Sequence, residues 1–318
     1  IDSTHADFRM SKNRIAVNDI YLKTPNSLIQ RSFSLSYDSL AGIMKDPQNS
    51  LVEAVLAKSV IAFNDIYLLL PSLEQSLPPA SFANQKMYVN TGIRGNLKTL
   101  FIPYLELSGL SGSSLAAKAV LYNLTDSRLF AYDLTLLKGR FLKSDLIKFI
   151  PKEQLAQFKD LPAVIDFTGN FKGNKDKVDG KLNILTEGFA FNGNISLANI
   201  SDPSKLTYGF NAQKISVTKK ILQAQLPPAL LAQIELPDYL TMSGKLDGSK
   251  ENLRPDLNIN SSFGDLKVKG YINHFSDSMK ANYDLAISTS GFQLGKLMKQ
   301  DSVFGIVAGN ITAKGIGI

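Results

Sequence analysis

Apolar and polar residues alternate along many short segments of this chain. Phe33, Leu35 and Tyr37 are separated by serines, and Phe189 and Phe191 flank an alanine and precede an asparagine. A period of two with one apolar side is typical of strands in an antiparallel β-sheet that is buried on one face. The pattern therefore predicts a mainly β protein whose strands follow one another as a long meander.

One strand-turn-strand phrase occurs three times. The segment NLTDSRLFAYDLTL begins at Asn123, NISDPSKLTYGFNA begins at Asn199, and NHFSDSMKANYDLAI begins at Asn273. The tyrosine near the end of each phrase returns at an almost constant interval, at Tyr132, Tyr208 and Tyr283. Tyr37, a longer interval upstream of Tyr132, is a fourth candidate. A fixed step of this kind predicts a repeat protein.

Two further landmarks keep nearly the same step. Gly169 and Gly173 in LPAVIDFTGNFKG return as Gly244 and Gly248 in LPDYLTMSGKLDG. Shorter segments between the strand groups are each marked by a proline, at Pro71, Pro151 and Pro227. We therefore predict repeats of about 75 residues, each with four or five strands followed by a short helical or irregular crossover.

The longer first interval contains an additional segment, NSLVEAVLAKS. Ser50 and Glu53 within it have the spacing of a helix capping box, which predicts an inserted short helix. Dipeptides such as Asp179-Gly180, Asn192-Gly193 and Asp247-Gly248 are typical of turns or of bulges within strands. The predicted segments are residues 1–62 with the end of a preceding repeat and the inserted helix, 63–140, 141–216, 217–291, and 292–318 as a truncated repeat.

The apolar side of such a sheet needs a cover. A second layer of side chains is one solution, and a sheet curled around its apolar face into an open trough is another. A trough would suit a fatty acyl chain, because a chain of about 16 carbons gains roughly 12 kcal/mol when it leaves water. The residues predicted to line such a groove are Phe33, Leu35, Tyr37, Tyr132, Leu134, Ile165, Phe167, Phe171, Leu182, Ile184, Phe189, Phe191, Ile195, Leu197, Tyr208, Phe210, Met242, Leu246, Leu257, Ile259, Leu266, Val268, Tyr283, Leu285 and Ile287.

Catalytic and metal-binding patterns are missing from the sequence. The chain has no cysteine, and its two histidines, His5 and His274, stand apart as expected for surface strand or turn residues. No phosphate-binding loop, nucleophile elbow or dinucleotide fingerprint occurs. We therefore predict neither an enzyme nor a cofactor or metal site.

Charge and hydropathy exclude two further classes. The net charge of +7 is spread along the chain without aromatic interleaving, so we expect a solvated surface and no nucleic-acid partner. No segment approaches the apolar length of about 18 residues that a membrane-spanning helix needs. The N-terminal and C-terminal sequences suggest an excerpt of a longer protein.

Several segments resemble a known family. The segments IAVNDIYLKTPNSLIQRSFSLSYDSL, FTGNFKG, MSGKLDG and DSVFGIVAGNITAKGIGI resemble the middle of TamB proteins (translocation and assembly module subunit) of Bacteroidota type. These belong to the AsmA-like, repeating β-groove group of bridge-like lipid-transfer proteins. The resemblance implies an elongated, curled antiparallel sheet, the β-taco fold, with short helical crossovers.

The resemblance also implies a location and partners. It implies the periplasm of a Gram-negative bacterium, with phospholipids as cargo. An N-terminal anchor in the inner membrane and a C-terminal region that meets an Omp85-family outer-membrane protein would both lie outside this chain.

Three functional hypotheses follow. The first is a segment of a periplasm-spanning lipid-transfer conduit that carries phospholipid acyl chains along its apolar groove. The second is a structural periplasmic scaffold with an interior packed by side chains, which assists outer-membrane β-barrel assembly or secretion by offering strand edges. The third is an extracellular solenoid that binds glycans on aromatic platforms, which the absence of tryptophan disfavours.

Overall fold

The protein is mainly β, as the alternating pattern predicts. The computed structural model describes residues 1–75, 79–82, 84–150, 155, 160–277 and 279–317. Strands make up 60% of the chain and helices 15%. The chain divides into two compact units, Ile1–Lys175 and Asp176–Ile318.

The first unit is an antiparallel meander in which each strand pairs with the next one along the chain. Its strands are β1 (Ser3–Ser11), β2 (Arg14–Lys23), β3 (Leu28–Ser36), β4 (Leu51–Ala62), β5 (Lys86–Gly95), β6 (Thr99–Gly109), β7 (Ser113–Tyr122), β8 (Ala131–Leu142) and β9 (Val164–Gly173). Consecutive pairing explains why the alternation in sequence becomes two distinct faces, because residues that lie opposite each other in neighbouring strands point to the same side.

The second unit has the same organisation. Its strands are β10 (Lys177–Thr186), β11 (Phe189–Ala198), β12 (Thr207–Thr218), β13 (Tyr239–Ser249), β14 (Asn252–Ser261), β15 (Gly264–Asn273), β16 (Asn282–Gln293) and β17 (Ile306–Ile316). In the described part of each unit the sheet stays open, since no pairing joins β1 to β9 or β10 to β17.

Helical connections follow β3, β4, β8, β12 and β16. The helices are α1 (Leu40–Lys45), α2 (Phe63–Leu69), α3 (Pro79–Phe82), α4 (Lys143–Leu146), α5 (Lys219–Gln225), α6 (Pro228–Gln233) and α7 (Leu294–Leu297), with 3₁₀ turns at Pro47–Asn49, Pro71–Gln75 and Ile147–Phe149. Pro71 starts a 3₁₀ turn and Pro227 is the N-cap of α6, whereas Pro151 lies outside the described residues. The predicted division into repeated segments stays a prediction.

The predicted helix within NSLVEAVLAKS is wrong. Residues Leu51–Ala62 form strand β4, and the short helix of this region is α1, which precedes the segment. The side chain of Ser39, not that of Ser50, caps the helix by accepting a hydrogen bond from the Gly42 N–H at 3.0 Å. Glu53 instead faces Arg14 across the sheet at 3.5 Å. The alternation of apolar and polar residues around Glu53, and not the local capping-box spacing, therefore determines the structure of this segment.

The three turn-like dipeptides all lie inside strands. Asn192-Gly193 marks a register shift between β11 and β12, so its interpretation as a bulge is confirmed. Asp179-Gly180 and Asp247-Gly248 are paired regularly within β10 and β13. Neither of these two dipeptides makes a turn or a bulge.

Each of the three repeated tyrosines lies opposite a glycine of the next strand. Tyr132 pairs with Gly173, Tyr208 with Gly248 and Tyr283 with Gly315. A Cβ atom at Gly248 would lie 2.8 Å from the ring of Tyr208. The ring thus covers the space that a side chain would otherwise fill, a known way of stabilising glycines in sheets.

The repeated phrase forms the same kind of loop each time. Asn123, Asn199 and His274 begin the loops with φ near +53 to +59°, in the left-handed region that asparagine tolerates. Three positions after each of them an aspartate accepts backbone hydrogen bonds: Asp126, Asp202 and Asp277. The prediction that each histidine is a surface strand or turn residue is confirmed: His274 is exposed in the loop, and His5 is exposed in β1.

A small core of buried aromatic residues forms where helices meet the first unit's sheet. Phe63, Tyr67 and Phe82 are buried together, and Leu110 packs against them from the β6–β7 turn. The Phe63 and Phe82 ring centroids are 5.2 Å apart. The helical connections therefore close one end of the sheet locally.

A buried carboxylate ties helix α4 to the β6–β7 turn. Asp145 is 1% exposed and accepts hydrogen bonds from the Ser111 N–H (2.9 Å), from the Ser113 N–H (3.1 Å) and hydroxyl (2.6 Å), and from Lys148 Nζ (3.1 Å). Burial raises its pKa, but the hydrogen bonds from Ser113 and Ser111 outweigh burial and lower the pKa from 3.8 to about 2.

Replacing this carboxylate by an amide should destabilise the fold. The pKa of Asp145 is lower in the folded state than in the unfolded state, so the ionised carboxylate stabilises the fold. This contribution to the free energy of unfolding is about 2 kcal/mol; it is present above about pH 4 and is lost as the pH falls towards 2. We expect D145N to lower the free energy of unfolding by about that amount at pH 7, and to flatten the acid side of the stability profile. Urea titrations between pH 2 and 7 measure both effects. Asp301→Asn is the control, because the side chain of Asp301 is exposed. Equal losses of unfolding free energy in the two variants would contradict the prediction.

Candidate functional site

The largest continuous feature of the second unit is the apolar face of its sheet. The register of the strands aligns one apolar residue from each of six neighbouring strands into a single transverse row: Ile184, Phe191, Ile215, Met242, Ile259 and Leu266. Neighbouring rows contain Phe210 opposite Leu246 and Leu257 opposite Val268. We call this surface the apolar face of the second unit.

The first unit has an apolar face of the same kind. Leu134 lies opposite Phe171 and Phe141 opposite Ile165, and Phe33 and Leu35 lie opposite alanine and valine of β4. The rings of Phe141 and Phe167 stack with their centroids 5.0 Å apart. Apolar residues from all nine strands share this side, including Phe8 and Met10 of β1.

All the residues predicted to line a groove lie on these two faces, except one. Tyr37 follows the end of β3; it is 6% exposed and its hydroxyl donates to the Ser11 carbonyl at 3.3 Å. It is therefore packed into the edge of the sheet. That the other residues contact a ligand stays a prediction.

Both faces remain partly open to solvent. Among the predicted lining residues only Tyr37 and Phe191 are buried, Phe33 is 38% exposed, and the rest are partly exposed. In the described part of each unit, strands contact their neighbours in the sheet and the short helices, and no second sheet packs over the apolar side. The open apolar area is therefore not explained by internal packing.

The total surface supports the same conclusion. The chain exposes 19289 Å², whereas a compact protein of this mass would expose about 13,000 Å², and two separate compact globules of half the mass about 16,000 Å². The exposed surface therefore exceeds even the value expected for two separate compact units. Much of the apolar material is thus held in sheets and not in a closed core.

Bulges interrupt the ladders near the middle of many strands. Register shifts occur between Val17 and Ile20, between Leu56 and Ser59, and between Ala212 and Ile215, among others. A bulge bends its strand and increases the local twist, and sheets are curved by placing bulges at defined positions. The ladders therefore contain the devices that curvature requires.

On the opposite, polar face of each unit, ion pairs connect neighbouring strands. In the first unit Arg140 binds both carboxylate oxygens of Asp166 at 2.7 and 2.9 Å. In the second unit Lys269 contacts Asp256 at 3.0 Å and Lys314 contacts Asp284 at 3.1 Å. Each of these exposed ion pairs contributes little to stability, but together they show which side of the sheet faces solvent.

The described residues contain no group of three or more histidine, aspartate or glutamate side chains placed to hold a metal ion. Among the helices of the described chain, none has the length and apolar character needed to cross a membrane. Comparisons with protein-family models, with curated proteins and with solved structures gave no match. The resemblance to TamB proteins thus rests on the sequence segments alone.

Proposed function

We propose that this chain is a segment of a lipid-transfer conduit that binds acyl chains on its apolar sheet faces. The observation that carries the proposal is the partial exposure of continuous apolar rows from strand to strand. Monomeric proteins rarely leave large apolar patches open unless these bind something. An acyl chain needs only continuous apolar contact, which the rows of partly exposed residues offer.

The acyl chains would lie across the strands, along the rows. Strands are about 4.8 Å apart, so the six-residue row from Ile184 to Leu266 spans roughly 24 Å. That length suits one extended fatty acyl chain. Rows in the neighbouring registers would hold the second chain of a phospholipid, with the headgroup at the solvated margin.

The location and partners of the conduit belong to the same proposal. A periplasmic chain of this kind would receive phospholipid at the inner membrane and pass it towards the outer membrane, through an anchor and an Omp85-family partner beyond this chain. The proposal requires no catalytic residue, because transfer along an apolar surface involves burial and release without bond making.

A second candidate function is a scaffold for outer-membrane β-barrel assembly. It would rest on the same partly exposed apolar faces, with strand edges offered to the client protein. In that case the apolar faces would be covered by protein partners and not by lipid.

Native mass spectrometry of the chain purified from bacterial membranes and periplasm without detergent separates the two functions. We expect reproducible mass increments that match phospholipids and disappear after delipidation, with phospholipid recovered in a chloroform–methanol extract. Bovine serum albumin depleted of fatty acid and carried through the same purification controls for carry-over. A chain that is consistently free of lipid at an equal extraction efficiency would overturn the conduit and leave the scaffold.

A further inference from the structure

The polar face of the second unit contains a feature that lipid transport does not use. One transverse row of this face is composed of asparagine, serine and lysine side chains from eight consecutive strands: Asn183, Asn192, Lys214, Ser243, Asn258, Lys267, Ser288 and Asn310. Lys214 meets Ser243 across the bulge between Ala212 and Ile215. We call this row the amide-lysine row. It includes no carboxylate.

Among the described residues, some lysines of the same face are held in ion pairs, whereas the two lysines of the row are not. Lys177, Lys269 and Lys314 each contact an aspartate at 2.9 to 3.1 Å. Lys214 and Lys267 are exposed, and neither takes part in an ion pair or hydrogen bond within the described part of the chain. The row therefore presents two lysines that are free of ion pairs with the described residues, with hydrogen-bonding groups between them.

A depression of about 560 Å³ lies over the middle of the row. Lys214, Ser243, Asn258, Lys267 and Ser288 line it, and its single carboxylate belongs to Asp265. The Asp265 carboxylate accepts a hydrogen bond from the Ser290 hydroxyl at 2.5 Å, which lowers its pKa and keeps it ionised, so two lysines and one carboxylate leave the depression with a net positive charge. The volume is in the range of ordinary ligand sites.

The chemistry of the row points to a ligand with many hydroxyl groups and negative charge. Asparagine side chains donate and accept at once, as do serine hydroxyls, and sugar hydroxyls need both. Lysine ammonium groups attract carboxylates as point charges. The row has no aromatic side chain for base stacking, which binding of single-stranded nucleic acid normally uses. It has no apolar side chain that would hold a lipid tail.

We propose that the amide-lysine row is a binding site for an acidic polysaccharide. The polymer would run across the strands, with its carboxylates at Lys214 and Lys267 and its hydroxyls at the serine and asparagine side chains between them. This site is on the opposite side of the sheet from the apolar face, so it is independent of lipid binding. The polymer would be recognised by charged, hydroxyl and amide groups. This differs from recognition of a glycan by stacking on aromatic side chains.

A second depression on the same face serves as the internal comparison. It is about 580 Å³ in volume and contains Lys181 and Lys245, but it also contains Asp179 and Asp247. It contains two carboxylates for its two lysines, against one in the depression over the amide-lysine row, so we expect it to bind an anionic polymer more weakly. Replacing its lysines removes the same charge from the same face and the same unit.

The test measures binding of polygalacturonate to the whole chain by biolayer interferometry. We expect Lys214→Gln with Lys267→Gln to weaken binding about tenfold or more, because two charge-assisted contacts are lost. Lys181→Gln with Lys245→Gln should weaken it less than about threefold. Asn258→Leu in the middle of the row should also weaken it, by about threefold, because an amide contact to the sugar is lost.

Other outcomes would overturn the proposal. They are absent binding of polygalacturonate, equal weakening by both lysine pairs, or a row that binds polyphosphate or oligothymidylate as tightly as polygalacturonate. Equal binding of uncharged dextran would also overturn it, since the lysines would then have no part. Circular dichroism of each variant confirms that the sheet is retained, so that a loss of binding is attributable to the row.

Discussion

Replacing Ile215, Met242 and Ile259 together with lysine is expected to abolish phospholipid binding by the second unit. The three residues lie next to one another in the six-residue row, and all are partly exposed. Lysine at such positions can extend its ammonium group to water, so the sheet should persist. An acyl chain, in contrast, would have to cross three charged groups, and each buried charge costs several kcal/mol. Because the first unit keeps its own apolar face, lipid recovered per chain, measured by mass spectrometry after extraction, should fall by about half.

A matched variant controls for the added charge. Thr207, Ala286 and Thr312 are exposed on the polar face of the same unit, and lysine at these three positions adds the same charge away from the apolar rows. That variant should keep its lipid. If the apolar-row variant retains phospholipid at the level of the control, the apolar face is not the binding surface, and the lipid-conduit proposal fails.

The second large effect concerns backbone geometry in β13. Gly244 has a φ of +122°, and a Cβ atom placed there would lie 2.2 Å from the Asp256 carbonyl oxygen of the neighbouring strand. Alanine would therefore strain the backbone and force the two strands apart. We expect Gly244→Ala to lower the free energy of unfolding by about 2 to 4 kcal/mol, the range of a strained conformation combined with a steric clash.

Guanidinium chloride unfolding of the variant, followed by far-ultraviolet circular dichroism, measures this change. Gly291→Ala is the control, because a Cβ atom there would meet only Ile306 Cγ2, at an ordinary contact distance of 3.7 Å. We expect the control to change stability by less than about 1 kcal/mol. A loss below about 1 kcal/mol for Gly244→Ala would show that the β13–β14 ladder relaxes more easily than its geometry indicates.

The apolar faces could be predicted from sequence because a strand's two sides are encoded locally. Alternation at Phe189, Phe191 and Ile195 defines which side is apolar without any knowledge of the neighbouring strand. The helix predicted around Ser50 and Glu53 is wrong for a related reason. A capping signal of two residues carries less information than the alternation of Val52, Ala54 and Leu56, which the strand pairing uses.

The amide-lysine row could not be predicted in the same way. Lys214 and Lys267 are far apart in sequence, and only the strand register aligns them through Ser243 and Asn258. Along the chain Lys267 is simply a polar residue between two apolar ones, and Lys214 follows a glutamine. The charge therefore looks evenly distributed in the sequence, although the pairing of strands concentrates unpaired lysines on one face.

Asp145 was likewise invisible as a buried group. Its neighbours Lys143 and Ser144 make the segment look exposed, and its partners Ser111 and Ser113 come from a turn much earlier in the chain. Burial of a carboxylate becomes recognisable only when all its hydrogen-bond donors are assembled. Local propensity carries no information about such a contact.

The four-strand spacing of the helical connections after β4 and β8, and of those after β12 and β16, has a consequence for how such a chain can change in length. In the first unit the connections after β4 and β8 are four strands apart, and in the second unit so are those after β12 and β16. Antiparallel neighbours reverse direction at each step, so both connections of a unit fall at the same end of its strands. Duplication or deletion of four strands would therefore leave every remaining helix at its original margin and every side chain on its original side. Insertion of four strands would therefore preserve the positions of the helices, whereas insertion of one strand would move the next helix to the opposite end of the strands.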